Sequence, residues 1–128
     1  MTKEIITATG KYWIDEKTGI AWKDHNPGTY STLETARADL AALKALCDGK
    51  RYPLLCDLRN LKGTDRDARQ YFAGGEAAEV YSALALVGGT PMSNIIGNVF
   101  LAISGTKTPA KLFSDQESAI EWLKGFIR

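Results

Sequence analysis

This sequence predicts an α/β fold, a single domain spanning residues 1–128 with a mixed, mostly parallel sheet flanked by helices, and three observations carry that expectation. Two apolar runs, Pro53-Leu-Leu-Cys56 and residues 81–87, are dense enough for strands covered on both faces, as parallel strands usually are. Each is followed by a helix-start signal, at Thr64 and at Thr90-Pro91. Upstream, Asp15-Glu-Lys-Thr-Gly19 is a hairpin turn between β-branched and aromatic stretches. The predicted order is ββαβαβαβα, in which successive strand-helix units make the later strands parallel through right-handed crossovers.

The elements follow in order. Residues 5–14 and 18–23 form the two strands of the hairpin, and His25-Asn-Pro-Gly28 breaks the chain. Ser31-Thr-Leu-Glu34 has capping-box spacing, and Leu33, Ala36, Leu40, Leu43 and Cys47 recur on one stripe of the helix that follows, up to the stop at Asp48-Gly49-Lys50. A strand over residues 54–58 leads to a helix capped by Thr64, which weakens at Gly74-Gly75 because glycine disfavours helix interiors. The apolar strand 81–87 ends at Gly88-Gly89, and Thr90-Pro91 opens a helix carrying Met92, Ile95, Ile96, Val99 and Phe100. A last short strand spans 110–113. Ser114-Asp-Gln-Glu117 reads as a second capping box, before a helix that buries Ala119, Ile120, Leu123 and Ile127.

Composition narrows the functional classes. At 45% apolar and 24% charged residues the chain reads as an ordinary globular protein, and no apolar run is long enough to cross a bilayer. Sixteen basic and fifteen acidic residues leave a net charge of +1, which gives no cationic field for nucleic acid. Without a secretory leader pattern, the cytoplasm is the expected compartment. Cys47 and Cys56 sit at apolar positions without metal-ligand spacing, so buried reduced thiols are expected, and neither a cofactor nor a metal.

The junction from Asp57-Leu-Arg59 through Gly63 to Thr64-Asp-Arg-Asp67-Ala-Arg69 is the most informative stretch. It places a hydroxyl, the N-H groups of a helix start and basic side chains together, which suits an anion site or a phosphorylation switch. Thr64 is explained by capping alone. A phosphoryl group there would lie at the positive end of the helix, within reach of Arg59, Lys62 or Arg66. With Asp65, Arg69 and Thr90 these residues form the candidate partner or anion surface. The helix at 92–103 is unusually apolar, and core packing explains most of it; an exposed excess would mark a dimer face, a partner site or the wall of an apolar-ligand pocket. His25 beside Asp24 reads as a solvated turn residue, and no nucleophile or metal motif supports an enzyme.

The order of elements, the Asp57-Leu-Arg-Asn60 to Thr64-Asp-Arg-Asp-Ala68 junction, the Ala83-Leu-Ala-Leu-Val-Gly88 strand and the Lys111-Leu-Phe-Ser-Asp-Gln-Glu-Ser-Ala119 ending resemble the STAS domain group, in particular the small stand-alone bacterial members. The resemblance covers almost the whole chain. In the anti-sigma factor antagonists of that group, a serine or threonine at the turn after the central strand is phosphorylated by a partner kinase, which docks on the neighbouring helix. That implies Thr64 as the phosphorylated residue and residues 65–69 as the docking surface; here Lys62-Gly63 precedes Thr64 and the acid Asp65 follows it. The leading expectation is therefore a non-enzymatic regulatory module that binds a protein, with a kinase-like regulator or a second copy as partner. The alternative is a small-molecule or lipid carrier, with an apolar or anionic ligand, using the apolar helix and the crevice beside Thr64 and Thr90.

Overall fold

The structure, a computed structural model, describes residues 3–102 and 107–127. Its centre is a six-stranded sheet in the order β1 (Lys3–Ile6), β2 (Gly10–Asp15), β3 (Ile20–His25), β5 (Tyr52–Asp57), β7 (Tyr81–Val87), β8 (Ala110–Phe113). The first three strands are antiparallel, and β3, β5, β7 and β8 are parallel. A separate two-stranded ladder joins β4 (Thr29–Ser31) to β6 (Leu61–Thr64). Helices α1 (Leu33–Cys47), α2 (Arg66–Ala73), α3 (Gly75–Ala78), α4 (Pro91–Leu101) and α5 (Gln116–Leu123) complete the mixed α/β domain, followed by a 3-10 turn at Lys124–Phe126.

Strand alternation divides the core between the two sheet faces. Leu54, Leu84 and Leu86 point to one side, where they pack with Leu40, Leu43 and Cys47 of α1 and Ile96 and Phe100 of α4. Leu55, Ala83, Ala85 and Val87 point to the other, against Ala119 and Leu123 of α5. Every residue of β7 except Ser82 is buried, as expected for a strand paired on both edges and covered on both faces. No helix among the described residues is long and apolar enough to cross a membrane.

The sequence pattern misplaces several boundaries. Residues 5–14 are two strands, because Thr7 and Gly10 exchange backbone hydrogen bonds (2.8 and 3.3 Å) around Ala8-Thr9, a turn without the Asn-Gly or Asp-Gly signature. The cap of α1 is Thr32, which trades side-chain and backbone hydrogen bonds with Thr35; Ser31, one residue earlier, pairs in β4. Thr64 is likewise no cap: it ends β6 opposite Ser31, and the Asp65 carboxylate receives the Ala68 N-H at 2.7 Å. Asp115 rather than Ser114 caps α5, through the Ser118 N-H at 2.8 Å. Ile120 is only half-buried and Ile127 lies exposed beyond the helix. The break at Gly74-Gly75, the Thr90 cap with Pro91 and the strand 110–113 stand as expected. The expected end of the apolar helix at residue 103 lies outside the described residues.

Gly10 lets the β1–β2 turn lie against β3, since a Cβ there would overlap the Asp24 carbonyl. Gly10→Ala is therefore expected to cost more than about 1 kcal/mol in chemical denaturation, whereas Gly75→Ala, where a Cβ meets open space, should be neutral or stabilising.

Candidate functional site

Alternation along β3 sends Ile20 and Trp22 to the α5 face, and Ala21, Lys23 and His25 to the opposite face. Lys23 is thereby forced inside, at 1% exposure. It survives there because several groups answer its charge, the Thr7 hydroxyl at 3.4 Å among them. Its Nζ donates to Thr9 Oγ1 at 2.5 Å, lies 3.3 Å from Asp39 Oδ2, and sits 4.3 Å from the centre of the Tyr12 ring. Thr9 Oγ1 in turn donates to Asp39 Oδ2 at 2.5 Å, so one hydroxyl links cation to anion. Thr9 comes from the β1–β2 turn and Asp39 from the inner face of α1, at 3% exposure. Burial pulls the lysine below its usual range while the Asp39 charge opposes that shift, and burial together with Asp39 pushes the Tyr12 hydroxyl well up, so it stays protonated.

These polar groups stand at one end of a cavity of about 80 Å³ between the sheet and helices α1, α2 and α4, over the carboxyl-terminal halves of the parallel strands. Leu54, Leu84, Leu86 and Phe100 make its apolar wall; Ser31, Leu61 and Thr64, from the β4–β6 ladder, form its roof. An open groove of about 180 Å³ adjoins it and shares Thr64, Arg69 and Ile96. On the outer side of the groove Tyr30, Met92, Ile95 and Val99 are 43–58% exposed. Arg69 is held at this boundary by a 2.6 Å hydrogen bond from Nη1 to the Thr64 carbonyl.

His25 lies in the chamber wall, not in a solvated turn. Its Nδ1 is 2.8 Å from the Asp57 carbonyl, which only accepts, so Nδ1 carries the proton and Nε2 offers a lone pair. Burial, with the Lys23 charge second, lowers its pKa to about 4. Cys56 is half-buried in the same chamber wall, and Cys47 is buried at the end of α1; both thiols are free, and burial pushes them up to about 12 and about 11. They are protonated thiols, as expected.

The predicted anion residues do not converge in one cavity. Arg69 and Thr64 face both spaces and Lys62 lines the groove, whereas Thr90 caps α4 outside both. Arg59 is engaged by Asp57 through Nε at 3.0 Å and Nη2 at 2.6 Å; Asp57 is raised by burial but lowered further by these bonds, and ends below its usual range. Asp65 is used as a cap and Arg66 is exposed. Of the apolar set, Ile96 and Phe100 are buried and Met92, Ile95 and Val99 are exposed. Sequence reasoning missed Thr9, Lys23 and Asp39. The signal was a carboxylate on the buried stripe of α1 together with a lysine at an inward position of β3.

The model of a domain of unknown function, DUF7793, matches residues 12–127. The chain belongs to this family. The match begins within β2 and takes in every later element, so all the chamber-lining residues fall within it. No curated protein matches this DUF7793 member. It is similar to a solved structure of an uncharacterized protein from the DUF3478 family, with a SpoIIAA-like fold, from Shewanella loihica PV-4: 19% identity, 96% of this chain and 92% of the other, TM-score 0.55. The DUF7793 chain therefore has a SpoIIAA-like fold, in agreement with the STAS-type resemblance.

Two expectations follow from the buried charges. The unfolded chain protonates His25 near pH 6.5 and the folded chain only near pH 4, so stability falls as pH drops between those values. Lys23, Asp39 and Asp57 face the ring, and between pH 7 and 5 the loss assigned to it is roughly 2 kcal/mol. His25→Asn, which keeps a donor for the Asp57 carbonyl, should flatten that part of the denaturation profile. Asp39→Ala, leaving Lys23 unpaired, should cost about 3–5 kcal/mol, whereas the double change Lys23→Met with Asp39→Leu should come within about 1 kcal/mol of the parent or exceed it.

Proposed function

We propose that the protein is a non-enzymatic binding module that holds a small, largely apolar molecule in the chamber between its sheet and helices α1, α2 and α4. The observation that supports this reading is the conjunction of a leucine-lined void with a buried ion pair at its end. A void forfeits dispersion contacts, and a buried pair is no better for stability than packed apolar side chains. A core selected only to fold avoids both. The volume of about 80 Å³ is roughly half that of an engineered cavity that admits benzene. It takes the end of a molecule, and the adjoining groove takes a longer apolar remainder. Such a role needs no reactive group: the Cys56 thiol is held protonated, and His25 is tied to a backbone carbonyl.

A second reading is docking to a protein, with a kinase-like regulator at Thr64 or a second copy as partner. It is favoured by the exposed Tyr30, Met92, Ile95 and Val99 beside Thr64 and Lys62. Thr64 is half-buried, with its hydroxyl 3.4 Å from the Asp65 carbonyl, so a phosphoryl group there would displace the roof next to Arg69. Both readings place a non-catalytic module at the same edge of the sheet.

Native mass spectrometry of protein purified gently from its host separates them. The expected result is a retained small molecule that is lost in Leu61→Phe, a substitution that fills the chamber from its roof. A bare protein that carries phosphate on Thr64, or that assembles through the α4 face, would overturn the ligand reading in favour of docking.

A further inference from the structure

Buried polar atoms in proteins nearly always have a partner, so each exception asks for a reason. Four buried side-chain atoms lack one among the described residues: Trp22 Nε1, Asp39 Oδ1, Ser82 Oγ and Thr108 Oγ1. Only Asp39 belongs to the chamber wall. Its Oδ2 is saturated by Thr9 and Lys23, and its Oδ1 accepts nothing. A carboxylate oxygen left bare in an apolar wall carries the full cost of lost hydration. His25 lines the same space, and with Nδ1 committed to the Asp57 carbonyl its Nε2 is an acceptor. The chamber wall therefore includes an acceptor, Asp39 Oδ1, that the protein itself does not satisfy.

Resting on the ligand reading above, we infer that the chamber selects a neutral molecule with a hydroxyl head and an apolar body, the hydroxyl donating to Asp39 Oδ1. A hydroxyl fits better than the other donor heads. Lys23 already balances the carboxylate, so an ammonium would enter beside a buried cation. An ionised carboxylate would meet Asp39 with like charge and offer no hydrogen. A hydroxyl supplies one donor without altering the charge, and the apolar body continues along Leu84, Leu86 and Phe100 toward the groove. Loss of a hydrogen bond to a charged acceptor is expected to weaken binding roughly tenfold to a hundredfold.

The test is an amide chemical-shift titration of the full chain with hexan-1-ol and with 1-methoxypentane, an ether with the same number of heavy atoms and no donor. The expected result is that hexan-1-ol binds at least tenfold more tightly, with shifts at Thr9, Lys23 and Asp39, and that Asp39→Asn, which replaces the free acceptor by a donor, removes the preference. The wild-type comparison stands even where that variant fails to fold. Equal binding of alcohol and ether, both lost in Leu61→Phe, overturns the hydroxyl inference and leaves the chamber reading intact. Binding of neither, or binding unaffected by Leu61→Phe, overturns both.

Discussion

The bridge from Lys23 through Thr9 to Asp39 is the constraint on which the inner half of this molecule depends. It is imposed by parity. With Ala21 packed in the core, the two-residue period of β3 leaves Lys23 no route to water, and the chain must bring a carboxylate to it. Asp39 can do so only if α1 lies across β3 with that face inward, and Thr9 only if the first hairpin turns tightly enough to reach over the strand. Gly10 permits that turn by leaving room for the Asp24 carbonyl. One buried ammonium thus fixes the hairpin, the strand and the helix relative to one another, and the space beside them is the chamber.

The two faces of the sheet differ in kind. The α5 side is closed by Ala83, Ala85 and Val87 against Ala119 and Leu123, with the rings of Phe113, Trp122 and Phe126 meeting at tilted and edge-on angles around them. Small residues in β7 let the helix approach there, whereas Leu84 and Leu86 on the opposite face help to frame an unfilled volume. The same strand therefore supports dense packing on one side and a cavity on the other, simply by alternating alanine and leucine.

Much of this was legible from the sequence. The apolar run at 81–87, the Thr90-Pro91 start, the glycine break after Ala73 and the mostly parallel order follow from local rules, because there the local preference and the tertiary environment agree. The caps were harder. Ser31 and Thr64 are good capping residues by type, but both are drawn into the β4–β6 ladder, and the residue after each takes the role. That ladder could not be anticipated, since its strands are too short to show a period and pair residues as far apart as Thr29 and Leu61. The site was half visible: Thr64, Arg69, Ile96 and Phe100 were marked, while Lys23 and Asp39 were passed over as ordinary charged residues although each lies on an apolar face.

The β4–β6 ladder stands apart from the main sheet, paired at Thr29, Tyr30 and Ser31 and extended by the Gly28 N-H to Asn60 carbonyl hydrogen bond at 3.0 Å. The chamber is thus roofed by a short ladder outside the main sheet, anchored by Leu61 in the core. Detaching it would leave the β3–β5 and β5–β7 ladders intact, so local opening of the roof would cost less than unfolding the sheet. Exchange between chamber and solvent would then be governed by this ladder and the anchoring of Leu61, not by the pairing of the central strands.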